Sequence, residues 1–314
     1  MQQPRPLSTY IEATRPPFLL AVVMPVLLGL ATSTAHSGLS SFTHYVLAMV
    51  TLVGAVSAHA GANVLNDFYD SRNGGDAANT GRIFPFTGGS RFIQEGKLTE
   101  EETGRFGWTL MAVTGGIGIL LTLTSGYGLV VIGVCGLVVG WAYTAPQVFL
   151  AGMGMGELAV GIAFGSLVPA GAFYVQTGLL SWDPLLAGLP YAFLTANLLL
   201  INEFPDAVAD AKVGKRTLIV RLGPETAKYV YYACAAAATF LTVFVLPFLL
   251  PGLSFFSLAS LLPAASFLLS AFAASFLHTH AANPSSLTPA IIATIAALLS
   301  HGFLLSLVIF LFSP

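Results

Sequence analysis

Residues 229–314 read YVYYACAAAATFLTVFVLPFLLPGLSFFSLASLLPAASFLLSAFAASFLHTHAANPSSLTPAIIATIAALLSHGFLLSLVIFLFSP, without one Asp, Glu, Lys or Arg. Water cannot solvate so long an apolar run. Crossing a bilayer takes about 20 residues, so this stretch holds three crossings, near 228–249, 254–277 and 287–312, with Pro251-Gly252 as the first turn. Inside lipid each backbone N–H and C=O must be satisfied within the segment, which makes the crossings helices. Two more stretches, Pro16 to Asn66 and Phe106 to Gly156, also lack charge. The whole chain of 314 residues is 55% hydrophobic and 8% charged, against about 25% charged in soluble domains, and its mean hydropathy is +0.81.

Cutting these runs at Pro, Gly and charge clusters adds helices near 18–35, 43–66, 107–124, 127–144, 157–176 and 184–204, with a tight turn at Ser125-Gly126. The expectation is an all-α integral membrane protein of about nine transmembrane helices, bundled as one domain over 1–314 around a central cavity. Basic residues collect on the cytoplasmic side of a membrane protein. With the N-terminus inside, all twelve fall on one face: Arg5, Arg15, Arg72, Arg82, Arg91, Lys97, Arg105, Lys212, Lys215, Arg216, Arg221 and Lys228. Of the fourteen acidic residues only Asp183 falls opposite. The N-terminal segment MQQPRPLSTYIEATRP lacks the short apolar core and cleavage site of a signal peptide. Net charge −2 gives no basic footprint for nucleic acid, and Cys135 and Cys234, both in apolar runs, give no disulfide framework or zinc site.

The charge is concentrated in two inside segments. One contains Asn63, Asn66, Asp67 and Asp70, continuing to Gly74 and Asp76; the other contains Asn202, Glu203, Asp206 and Asp210, continuing to Lys212, Gly214, Lys215, Arg216 and Thr217. Both carry Asn-x-x-x-Asp, and the same interval separates 63 from 202 and 67 from 206, a weak internal repeat of the second and sixth helices with their loops. Spacings of three and four place each set on one helical face. Clustered carboxylates at a membrane need a cation, and hard oxygen ligands suit Mg²⁺, with a diphosphate completing the shell. The metal ligands are read as Asp67, Asp70, Asp76, Asp206 and Asp210. Arg72, Arg91, Lys97, Lys212, Lys215 and Arg216 are the cations near enough in sequence to balance a diphosphate, with Asn63, Asn66 and Asn202 beside them as further diphosphate contacts, and Gly88-Gly89 offers backbone N–H groups.

Other signals have plainer readings. Glu100, Glu101 and Glu102 form a surface triplet. Gly152-x-Gly154-x-Gly156 follows no strand and sits in no βαβ unit, so it is no nucleotide loop. His278 and His280 splay apart on a helix and read as interfacial polar residues. His59, one turn before Asn63, is either a packed histidine or a substrate contact. Glu157 is either a carboxylate favoured at a helix N-terminus or a group that orients the acceptor.

Asn66-Asp67-x-x-Asp70-x-x-x-Gly74-x-Asp76 and Asp206-x-x-x-Asp210-x-x-x-Gly214-Lys215-Arg216-Thr217-Leu218 resemble the paired aspartate motifs of the UbiA superfamily of intramembrane prenyltransferases. The resemblance takes in Arg15-Pro16, Pro25, Gly29, Tyr143-Thr144 and Gly154-x-Gly156-Glu157, and covers residues 15 to about 223. Within the superfamily the motif endings look most like the 1,4-dihydroxy-2-naphthoate polyprenyltransferases of menaquinone synthesis. Two segments depart from that subgroup: Phe86 to Glu95, and Glu203-Phe-Pro205 in place of a usual Asn- and Arg-containing stretch.

The resemblance implies Mg²⁺-dependent transfer of a polyprenyl group from its diphosphate to an aromatic acceptor, in the cell's inner membrane with the active-site loops on the cytoplasmic side. Asp67, Asp70, Asp206 and Asp210 would hold the metal, Lys215 and Arg91 would contact phosphate, and His59, Tyr143 and Glu157 would line the prenyl or acceptor pocket. Three alternatives remain: a prenyltransferase for another quinone, lipid or pigment, an integral-membrane diphosphatase or phosphotransferase, and a cation-coupled secondary transporter. A transporter's acids belong near the bilayer midplane, whereas these stand at helix ends beside basic loops. The charge distribution generates a test: cysteines placed at Arg91 and Arg216 are labelled from the cytoplasmic side and one at Asp183 from outside. Labelling of 91 and 216 from opposite sides contradicts the arrangement.

Overall fold

The apolar runs become helices, some of them limited by a capping side chain, as at Ser41, Thr99 and Ser257, or by a left-handed glycine, as at Gly74 and Gly178. The computed structural model describes residues 5–37, 41–74, 79, 81–145, 147–251, 253–255 and 257–313, and among these no strand occurs. In chain order the helices are α1 (Leu7–Ala13), α2 (Pro16–Ser37), α3 (Phe42–Asn73), α4 (Glu100–Ser125) and α5 (Gly128–Thr144). They continue with α6 (Gly156–Thr177), α7 (Asp183–Lys212), α8 (Leu218–Leu222), α9 (Pro224–Leu249), α10 (Leu258–His280) and α11 (Thr288–Phe312). Eight of them are long and apolar enough to cross a membrane, and the apolar part of α5, Gly128–Tyr143, is shorter. The chain is an all-helical integral membrane protein.

Three helices outrun the lengths that hydropathy alone gives them, and each extension is polar. Helix α3 runs past Asn66 to Asn73 and stops at Gly74, whose φ of 80° suits the left-handed C-cap. Helix α7 runs past 204, through Pro205, to Lys212. Helix α4 starts at Glu100 rather than 107, because Thr99 and Glu102 close a capping box, Glu102 N–H to Thr99 Oγ1 at 3.1 Å and Thr99 N–H to Glu102 Oε2 at 2.7 Å. Its acidic first turn also complements the helix dipole.

Helix α7 is the most buried of the spanning helices and α4 the least. Leu28 of α2, Tyr191, Leu194 and Leu198 of α7, Leu246 of α9 and Leu298 and Leu305 of α11 form one core cluster. Leu200, Ile201 and Phe204 join Ile219, Tyr231, Leu277 and Ile291 in a second. Close helix approach rests on small residues: a Cβ at Gly188 of α7 would collide with the Gly165 carbonyl of α6. Residues 163–167 of α6 form a π-helical turn at this contact. Interhelical hydrogen bonds fix the register, Tyr191 OH to Ala21 O at 2.7 Å and Asn197 Nδ2 to Tyr231 O at 3.0 Å.

Both polar extensions, of α3 and α7, end at the same end of the bundle. There the segment after α3 and helix α1 close over them, with Ala13, Phe92 and Leu98 packed together. Asp183 begins α7 at the far end and pairs with His36 at 2.7 Å.

Candidate active site

At 1.5 Å per residue and 3.6 residues per turn, Asp67 and Asp70 stand on adjacent turns of α3, and Asp206 and Asp210 on adjacent turns of α7. The two helix ends bring these pairs together, and Lys215 marks where they meet. Its Nζ lies 2.8 Å from Asp70 Oδ1 and 3.5 Å from Asp210 Oδ1, with side-chain exposures of 11%, 15% and 13%. Gly214, at φ 79°, turns the chain after α7 so that Lys215 points back at the helix it has just left.

The other two carboxylates are capped by the segment after α3. Asp206 Oδ1 accepts from Asn79 Nδ2 at 2.7 Å and Asp206 Oδ2 from the Gly88 N–H at 3.1 Å. Asp67 Oδ2 accepts from the Ser90 N–H at 3.0 Å, while Asp67 Oδ1 is buried and receives no donor. Left-handed φ values of 73° at Gly88 and 67° at Gly89 let the loop aim those amides inward. Arg91 ties the loop to itself through Nη1 to Asn79 O at 3.0 Å, and Arg15 binds it through Nη2 to Phe86 O at 3.1 Å.

Tyr143 is placed by α5 beside the start of α6, where its ring would lie 3.5 Å from a Cβ at Gly156. His59 stands edge-on to Phe164 in the π-helical turn, centroids 5.0 Å apart. Asn63 donates to Thr14 O at 3.0 Å, tying α3 to the end of α1. Asn66 and Asn202 are half-buried, and Asn202 Oδ1 has no donor.

Several expected diphosphate contacts are turned elsewhere. Arg72 lies two residues beyond Asp70, about 200° around the helix, and pairs with Glu100 at 2.5 Å while stacking over Phe68. Lys97 pairs with Glu95 at 2.9 Å and lies over the Phe92 ring. That hydrogen bond, helped by Arg82, holds the Glu95 carboxyl below its ordinary range. Lys212 and Arg216 are exposed. Asp76 lies outside the described residues. Among the described residues no three His, Cys, Asp or Glu side chains are gathered into a ready-made cluster for an ion. Lys215 and the loop amides take up the intervening positions.

Sequence reading missed three participants. Asn79 reaches Asp206 across a long sequence separation and carries no local signal. Arg15 was noted only as part of a motif, yet its charge acts on Asp67, Asp206, His59 and Tyr143 together. Glu203, seen only as a departure from a pattern, is buried beside Glu157.

The family model of UbiA prenyltransferases matches residues 22–287. A 1,4-dihydroxy-2-naphthoate octaprenyltransferase of Mycobacterium tuberculosis is 27% identical over 252 residues, 78% of this chain and 82% of that protein. UbiA prenyltransferase domain-containing protein 1 of Dictyostelium discoideum is 30% identical over 241 residues, 73% of this chain and 69% of that protein. Among solved structures, a UbiA homolog from Archaeoglobus fulgidus bound to DMAPP and Mg²⁺ superposes with a TM-score of 0.64 at 18% identity, covering 95% of this chain and 98% of its own. That likeness carries the fold.

The lysine bridge can be tested in the ligand-free protein. Lys215→Met removes the positive charge between two mostly buried carboxylates and lowers stability by about 3 kcal/mol, read as thermal unfolding in detergent. Adding Asp70→Asn to that variant restores part of the loss, as a double-mutant cycle on a direct contact requires.

Proposed function

The chain belongs to the UbiA prenyltransferase family, and from that premise we propose that it transfers a polyprenyl group from a prenyl diphosphate to 1,4-dihydroxy-2-naphthoate, with Mg²⁺, in menaquinone synthesis. The observation that carries the reading is the meeting of Asp67 and Asp70 with Asp206 and Asp210 around Lys215 at one end of a lipid-embedded bundle. The acceptor is supported by what the Mycobacterium relative is named for, and the metal and donor by the Archaeoglobus homolog solved with DMAPP and Mg²⁺.

The donor set fits a hard divalent cation. Asp67 Oδ1 is a buried carboxylate oxygen with no donor, and all four aspartates offer oxygen only. Asp67, Asp70, Asp206 and Asp210 would hold the ion. When bound, Mg²⁺ supplies positive charge against the charge that builds on the departing diphosphate.

The chain's own groups do the rest. Lys215 and Arg91 bind diphosphate oxygens, and Arg15 adds a third positive charge near Asp67 and Asp206. The Gly88 and Ser90 amides, which donate to Asp206 and Asp67, would turn to phosphate once a cation takes their place. Below them the apolar walls of α3, α6 and α7 exclude water from the allylic cation, and the Tyr143 ring faces it. His59 lines the prenyl side of the pocket, Glu157 the acceptor side. The prenyl tail stays in lipid. The site opens to the cytoplasmic face of the cell membrane, on the side of the twelve basic residues.

Asp67→Asn is the most direct test, because asparagine keeps a carbonyl oxygen for the Ser90 N–H and removes only the charge. Transfer falls by about 10³-fold in an assay of prenylated product, thermal stability without ligand stays near wild type, and Mg²⁺-dependent stabilisation by prenyl diphosphate disappears. Asp206→Asn loses activity likewise but also gives up one of two loop hydrogen bonds, at about 1 kcal/mol. Asp183→Asn, at the far end, keeps its activity. Wild-type turnover in Asp67→Asn overturns the assignment.

A further inference from the structure

Glu157 on the first turn of α6 and Glu203 on α7 are buried, at 8% and 7% exposure. The start of α6 packs on α7 one turn before Glu203, where a Cβ at Gly156 would lie 3.2 Å from Leu199, which brings the two carboxyl groups near enough to act on each other. Glu203 Oε2 and both Glu157 oxygens receive no hydrogen from any protein donor. Tyr143 of α5, Cys234 of α9 and Asp210 further along α7 are titratable groups near enough to interact electrostatically with the pair. Two buried carboxyls in contact inside a membrane bundle are costly, and packing does not require acids here, since leucine or glutamine would fill the same volume.

Position narrows what they are for. Glu203 precedes Asp206 by three residues, so it stands about one turn, or 4.5 Å, deeper along α7. That is the level below the diphosphate, where the bond-forming carbon lies. The missing partner must bring a hydrogen-bond donor. A prenyl chain has none, whereas a hydroxylated aromatic ring does.

We propose that Glu157 and Glu203 form one carboxyl pair that receives a hydroxyl of the aromatic acceptor and takes up its proton as the ring attacks the prenyl group. This rests on the prenyl-transfer reading above. The O–H bond breaks and its electron pair enters the ring, the new C–C bond forms to the allylic carbon, and the allylic C–O bond breaks with its electrons leaving on the diphosphate. The proton sits between the two carboxyls, which together have room for one. The hydrogen on the attacked ring carbon then leaves as a proton to solvent and the pair returns its proton to the oxygen. The product is a prenylated phenol, with one proton and one diphosphate released. The pair thus selects acceptors that present a hydroxyl at this point, and an acceptor carboxylate pointed there meets like charge.

The test uses the full chain in detergent, with geranyl diphosphate as donor and 1,4-dihydroxynaphthalene or its dimethyl ether as acceptor. Glu203→Gln and Glu157→Gln each keep side-chain size. Each is expected to bind donor within about threefold of wild type, read as Mg²⁺-dependent thermal stabilisation, while kcat for transfer to the dihydroxy acceptor falls about 100-fold. Glu203→Asp regains part of that loss, and the dimethyl ether is not prenylated by wild type. Transfer within about threefold of wild type in both Gln variants overturns the proposal. So does a parallel loss of donor binding, which makes the pair structural. If wild type binds donor yet prenylates no aromatic acceptor, the parent reading fails instead and takes the proposal with it.

Discussion

Four carboxylates gathered at one end of a lipid-embedded bundle set the terms for everything around them. Each ionised group removed from water needs a compensating charge or donor nearby. The polar extensions of α3 and α7, the Gly214 turn that sends Lys215 back, the left-handed glycines of the 81–98 segment and the long reach of Asn79 all serve that requirement. The apolar clusters behind them need only hold α7 in place against α2, α9 and α11.

The donors that cap the aspartates have the chemistry that a diphosphate would need. Backbone amides and the Lys215 ammonium stand next to carboxylates, and the guanidinium groups of Arg91 and Arg15 are tied to carbonyls of the covering loop; all of them are groups that bind phosphate oxygens. Under the proposed function, a cation bound by the carboxylates would exchange partners rather than create a site from nothing: metal would go to the acids, and the displaced donors would go to phosphate. Each of the four aspartates has a donor or a positive charge beside it, so none is left with only like charge for company.

Much of the fold was legible in the sequence, because charge-free runs and breakers report directly on lipid-exposed helices. The aspartate faces were legible too, since helical periodicity places 67 with 70 and 206 with 210. Which basic residues serve the site was less so. Arg72 follows Asp70 by two residues and so faces away from it, and Lys97 finds its partner two residues back at Glu95; proximity along the chain was mistaken for proximity in space. Asn79 and Ser90 reach the aspartates through loop conformation, which hydropathy does not encode. Glu203 was visible as an anomaly but acquired meaning only once α6 brought Glu157 against it.

The central claim is that the convergent aspartates serve a cation-dependent attack on a prenyl diphosphate by an aromatic carbon. The most direct measurement incubates the purified protein with radiolabelled geranyl diphosphate and a panel of hydroxylated aromatic acceptors, with Mg²⁺ or with EDTA, and identifies the products by mass. The account predicts a C-prenylated aromatic product that requires both the acceptor and the metal, with 1,4-dihydroxy-2-naphthoate outpacing 4-hydroxybenzoate and homogentisate. Release of prenyl alcohol or monophosphate at the same rate with and without every acceptor, and no carbon–carbon product, would contradict it.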